Sequence, residues 1–159
     1  MLLAVAAAGC SSSSSKVVVF PAPGQHNACR ARQLGVFAVA EGGGGAMVGS
    51  FRLRNNGLSA CSLRGRPDLA MLDQGGKPLP VRVLPARVAA LRLRPQRAAE
   101  VRFEWRNWCR GSFPASVTMR LRLPQGGGAI TARAQVGRPR CDAPKKPSTL
   151  STGPFEGSK

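Results

Sequence analysis

The chain has 159 residues and a formal net charge of +17, set by 24 Lys and Arg against 7 Asp and Glu. That length allows one ordinary domain with a modest core, and no stretch approaches the roughly 20 consecutive apolar residues of a membrane-spanning helix. Tyrosine is absent and aromatics make up 5%, so the core must rest on Leu, Val, Ala and Met with a few Phe and Trp, and the aromatic platforms of single-strand nucleic-acid binders are scarce.

Residues 1–10, MLLAVAAAGC, are a short apolar run followed by Ala8, Gly9 and Cys10. This has the form of the end of a bacterial lipoprotein signal, in which the cysteine is lipidated and becomes the new N-terminus. Ala7 stands where such signals usually carry Leu, and the basic n-region of a secretory signal is missing, as expected if translation starts upstream. Residues 11–27 follow as a flexible Ser/Pro-rich tether. The segment 16–20, KVVVF, reads as linker or edge strand. The single histidine, His26, has no ligand or base partner nearby in sequence and reads as an exposed linker side chain.

From residue 28 to 141 the pattern is short and alternating. Residues 32–40 form a strand candidate with apolar residues in both phases, which leaves its core-facing side open. Gly42 to Gly45 lack the Gly-Lys-Ser/Thr ending of a phosphate cradle and read as a loop. Met47 to Arg54 alternate Phe51 and Leu53 with Arg52 and Arg54. Asn55-Asn56-Gly57 stops that strand, and a second begins after the Gly65-Arg66-Pro67 corner. Val81 and Val83, then Leu91 and Leu93, then Val101, Phe103 and Trp105 continue the period of two. Val117, Met119, Leu121 and Leu123, and finally Ile130, Ala132, Ala134 and Val136, close the series. About seven to nine short strands with closely spaced turns, and no helical run, predict an all-β, immunoglobulin-like antiparallel β-sandwich. Residues 142–159, rich in Pro, Ser and Lys, read as a disordered tail, with Phe155 unpacked or, in the alternative, docked on the domain.

Five cysteines are an odd number for an exported chain. If Cys10 carries lipid, Cys29, Cys61, Cys109 and Cys141 remain for two disulfides. Three connectivities are open. The preferred one is Cys29–Cys61 with Cys109–Cys141, each stapling neighbouring β elements. Zinc and redox motifs are not met, because no two cysteines lie two to four residues apart; no metal or cofactor is expected.

Taken together, Asn55-Asn56-Gly57, Cys61-Ser62-Leu63-Arg64-Gly65-Arg66-Pro67, Leu72-Asp73 before a Gly turn, Leu93, Pro95, Ala99, Trp105-Arg106-Asn107-Trp108-Cys109, Leu123-Pro124 and Cys141 resemble the domain-of-unknown-function 4232 family. That family occurs mainly in secreted proteins and lipoproteins of actinobacteria. Arg66 departs from it, since an aromatic is common before the proline. The resemblance implies a β-sandwich outside the cytoplasm and brings no catalytic residues or ligand.

Chemistry therefore rests on charge. Arg52, Arg54, Arg92, Arg94, Arg102, Arg120 and Arg122 share the polar phase of their strands and, on neighbouring strands of one sheet, would form a cationic face for anionic envelope polymers or lipid headgroups. The same arginines also fit a plain solvated outer face, or a coding bias of the kind that makes Ala, Gly and Pro abundant too. No hydrolase constellation is visible, and Glu100 and Glu104 share their phase with Arg102 and Arg106, so ion pairing is their expected role. Trp105 is expected in the core, and Trp108, out of phase and close to Cys109, is expected to cover a disulfide, with a place on a binding surface as the alternative. The expectation is a non-enzymatic, monomeric, lipid-anchored envelope domain on the outer face of the cell membrane, with no nucleic-acid partner. The alternative is a secreted soluble sandwich with an unrecognised hydrolase or carbohydrate-binding activity.

Overall fold

The computed structural model describes residues 27–158 except 44 and 135. The signal-like segment, Cys10, the tether up to residue 26 and His26 lie outside the described residues. Among the described residues eleven strands follow a single 3-10 turn at Ala31–Gln33: β1 Leu34–Gly43, β2 Ala46–Asn55, β3 Cys61–Gly65, β4 Asp68–Leu72, β5 Arg82–Leu84, β6 Ala89–Leu93, β7 Ala98–Arg106, β8 Val117–Arg122, β9 Ala129–Ala134, β10 Thr149–Thr152 and β11 Glu156–Gly157. They form three sheets. The large one has the order β1-β2-β7-β10-β5, with β11 also pairing β7. Two smaller ones are β3-β6 and β4-β8-β9. All pairs are antiparallel except β10 with β5. The result is all-β and sandwich-like.

The inward phases follow the apolar alternation. Phe51, Leu53, Val101, Phe103 and Trp105 from the large sheet meet Leu63, Leu69, Met71, Val117, Met119 and Leu121 from the small ones in one buried cluster. The side of β1 that the sequence left open is settled: Leu34, Val36, Ala38 and Ala40 pack on the core, while Phe37 and Val39 face out. Gly49, also on the inward phase, lets β2 pass close to its neighbours. A Cβ there would lie 2.2 Å from the Val39 carbonyl oxygen and 2.6 Å from the Phe103 ring, so no larger residue fits without moving backbone.

The disulfides are Cys29–Cys61 and Cys109–Cys141, each closing 32 positions of sequence. Loop-closure entropy assigns each about 3–4 kcal/mol. The first ties the N-terminal segment, whose Ala28 bridges Ser62, to β3. The second ties the end of β7 to the chain leading into β10.

The expected disordered tail is the main correction. Residues 142–158 fold back onto the domain, and β10 is an interior strand of the large sheet, held between β7 and β5. Leu150 is fully buried and Phe155 is 4% exposed. Polar anchors explain why a Pro- and Lys-rich segment can dock. The Asn107 amide donates to the carbonyls of Ala143 and Lys146, both at 2.9 Å, and its Oδ1 accepts the Ala143 N–H. The Trp105 indole N–H donates to Ser148 Oγ at 2.8 Å, and that hydroxyl donates to the Arg106 carbonyl. The β10 and β11 strands, both from this segment, bring the total to eleven.

Candidate functional site

The seven arginines of the predicted cationic face do not share one sheet. Arg52 and Arg54 on β2 and Arg102 on β7 lie on the outer face of the large sheet, because the register sets Ser50 opposite Arg102 and Arg52 opposite Glu100. Arg92 lies on β6, with Arg94 just past its end, and Arg120 and Arg122 lie on β8. Strand periodicity fixes which side of its own strand a residue takes, but not which strands become neighbours.

The outer face of the large sheet is almost neutral. Arg52, Arg54, Arg102, Arg106 and Arg82 are set among Glu41, Glu100, Glu104 and Glu156. Among the described residues the ion pair within this face is Glu104–Arg106, at 2.5 Å. Its hydrogen bond and its charge both raise the Arg106 pKa above the usual guanidinium value. The pair is open to water, so it holds little of the fold. Glu100 and Arg102, expected to pair as well, do not. Arg52 donates to Ser158 Oγ, and Arg54 to Gln96 Oε1 at 2.7 Å. The same face exposes four apolar side chains, Phe37, Val39 and Val48, with Leu84 on β5.

The small sheets carry the charge imbalance. Their outward positions hold Arg64 and Arg92 on the β3-β6 pair, and Arg120, Arg122 and Arg133 on β8 and β9, against one acid, Asp68. Arg64 and Arg92 are diagonal neighbours, since Ser62 faces Arg92 and Arg64 faces Ala90. Arg120 is flanked by Ala70 and Thr131, and its Nε–H is shielded from solvent with no hydrogen-bond partner. Cationic donors held side by side on a sheet, with a single carboxylate, Asp68 opposite Arg122, among them, match the oxygens of a phosphate or carboxylate. Arg64 and Arg133 were absent from the predicted set. Their polar phase in β3 and β9, opposite the buried Leu63 and Ile130, was visible in the sequence.

A cleft of about 560 Å³ opens where the turn after β4 meets the β7–β8 connection, lined by Asp73, Gln74, Leu79, Trp108, Arg110 and Phe113 among others. Trp108 is 2% exposed and packs edge-on against Trp105 and Phe113, with centroids at 5.5 and 5.6 Å. Its indole N–H donates to the Ser112 carbonyl. Asp73 is the one carboxylate lining the cleft, and its Oδ1 accepts the Lys77 N–H. Among the described residues no three His, Cys, Asp or Glu side chains gather as metal ligands.

Sheet order, disulfides and a surface divided by charge define a stapled all-β sandwich-like domain. Two disulfides fit an oxidising, extracytoplasmic compartment, and no helix among the described residues is long and apolar enough to cross a membrane. The family described as domain of unknown function (DUF4232) matches residues 29–156, and the chain belongs to it. Neither a curated protein nor a solved structure matches the chain.

Proposed function

We propose that the chain is a non-enzymatic binding or structural domain of the cell envelope. In this reading its two small sheets present an arginine surface to anionic envelope components, either phosphate- or carboxylate-bearing polymers or lipid headgroups. The observation that carries this is the segregation of charge: acids gather on the large sheet and leave five outward arginines with one aspartate on the small ones. Coding bias accounts for arginine on both faces, five on each, but gives no reason for the acids to cluster on one. Lipidation at Cys10 would hold the domain on the outer face of the membrane, within reach of such polymers. Neither metal nor cofactor enters this reading.

The test is titration of the full chain with linear polyphosphate over a range of salt. Binding should weaken steeply with salt, the logarithmic slope growing by about 0.7 for each phosphate contacted along a flexible strand. Replacing Arg120, Arg122 and Arg133 together by Gln should lower that slope by about 2. The same change at Arg52, Arg54 and Arg102 should leave it unaltered. Binding that is flat with salt, or absent at low salt, would overturn the proposal. The cleft at Trp108 and Phe113 favours a second reading, carbohydrate binding by a secreted form. Binding of a neutral polysaccharide that polyphosphate does not displace would support it.

A further inference from the structure

We propose that the outer face of the large sheet is a self-association surface, and that its occupant is a second copy of this chain, packed face to face about a two-fold axis. This rests on a different surface from the cationic one and is independent of the polyanion reading.

A chain with a net charge of +17 repels its own copies through most of its surface. On the outer face of β1, β2 and β7 that repulsion vanishes, because Arg52, Arg54, Arg102 and Arg106 are offset by Glu41, Glu100, Glu104 and Glu156. A face carrying both signs is complementary to itself after a two-fold rotation, as an isologous interface requires. A strongly acidic or strongly basic partner would gain nothing from it.

The apolar content sits in the same place. Phe37 is 62% exposed, Val39 39% and Val48 42%, and the β1–β2 register places Phe37 beside Arg52, Val39 beside Ser50 and Val48 beside Glu41. Next to the Phe37 ring is a depression of about 440 Å³, lined by Gly35, Arg52, Arg54, Asn56 and Ala98. It exists because Gly35 and Ala98 offer little or no side chain there. A protruding ring beside a hollow is the shape a two-fold interface needs, each ring entering the other's hollow under two guanidinium groups. Glu41, Glu100 and Glu156 have no ion-pair partner within 4 Å among the described residues, so they are open to pair across the interface.

The area sets the strength. Strands β1 and β2 are ten residues long. Strand β7 has nine, so at ~3.4 Å per residue and ~4.8 Å between strands these three offer a face of about 500 Å². That is below the ~800 Å² per partner of a standard interface, so the dimer is weak, dissociating in the range of about 10–500 µM. It differs from the monomer expected from sequence, and the experiment decides between them.

The experiment is sedimentation velocity on the full, disulfide-intact chain from about 5 µM to about 1 mM, bracketing that range. Two charge-swapped variants accompany it, Arg52→Glu/Arg102→Glu and Glu41→Arg/Glu100→Arg. The wild type should shift from monomer to dimer across the range. Each variant alone should stay monomeric, since its face now carries a strong excess of one sign. An equimolar mixture of the two should recover the dimer, which also shows that both variants fold. Phe37→Asp should abolish association in every combination. A wild type that is monomeric throughout, a dimer that survives both swaps, or folded variants that fail to recover association when mixed would each overturn the proposal.

Discussion

Asn55 is fully buried at the end of β2. Its amide donates to the Ser59 carbonyl at 2.9 Å and to the Leu93 carbonyl at 3.0 Å, and its Oδ1 accepts the Gly57 N–H. One side chain thereby closes its own turn and fastens that turn to the end of β6. Asn55→Ala would leave two carbonyls and one N–H short of a partner in a shielded place. A buried unsatisfied group costs about 1–3 kcal/mol, so the expected loss is about 2–4 kcal/mol. It should appear as a lower urea midpoint with unchanged slope. Asn56→Ala, on the exposed neighbour, should cost much less. The sequence marks Asn55-Asn56-Gly57 as a turn, and a turn is there. Which asparagine matters was not legible, because the deciding partner, Leu93, lies 38 residues away.

At the scale of elements, most strands from β1 to β9 were legible because one face is wet and the other dry, which writes a period of two into the residues; β1, apolar in both phases, and β5, exposed at all three positions, are the exceptions. The strand β10 escapes that rule. Its four residues, TLST, bury one large apolar side chain, Leu150, and its neighbours are Pro, Lys and Ser. Its place comes from pairing with β7 and β5 and from the Asn107 and Ser148 anchors, none of them visible locally. Asn107 itself has φ 62, a left-handed conformation that asparagine tolerates better than most residues. The consequence is testable by truncation. A chain ending at residue 147 keeps both disulfides but exposes the edges of β7 and β5 and opens the pocket that Leu150 fills. Burying a leucine is worth about 1.5–3 kcal/mol, and several ladder hydrogen bonds go with it. The truncated chain should lose its cooperative unfolding transition or shift it to much lower urea, and trypsin should then cut at arginines of β7 that the intact chain protects. A tail of the kind the composition implied would leave both unchanged.

At the scale of the whole molecule, the phase of each arginine was legible and the division of charge between sheets was not. That division carries a cost. A net charge of +17 opposes the compact state through self-repulsion, and salt shields it over a Debye length of about 10 Å at 0.1 M. Since the ion pair among the described residues is the exposed Glu104–Arg106, salt has little attraction to weaken. Calorimetry of the disulfide-intact chain should therefore show Tm rising as NaCl is added from about 10 to about 200 mM. A gain of about 1 kcal/mol corresponds to roughly 2–8 °C for domains of this size range.

The triple change of Arg120, Arg122 and Arg133 to Gln separates the cost of those charges from their use. If they are a cationic surface held ready for a polyanion, removing them relieves repulsion. The variant should then melt above the wild type in low salt and respond less to NaCl. Polyphosphate at matched ionic strength should raise the wild-type Tm beyond what NaCl does, because it binds the folded state, and should raise the variant's Tm by less. A variant that melts below the wild type without any ligand would mean the arginine stems serve packing over Ala70 and Thr131. Their charge would then be incidental, and the cationic surface would have to be sought at Arg64 and Arg92 alone.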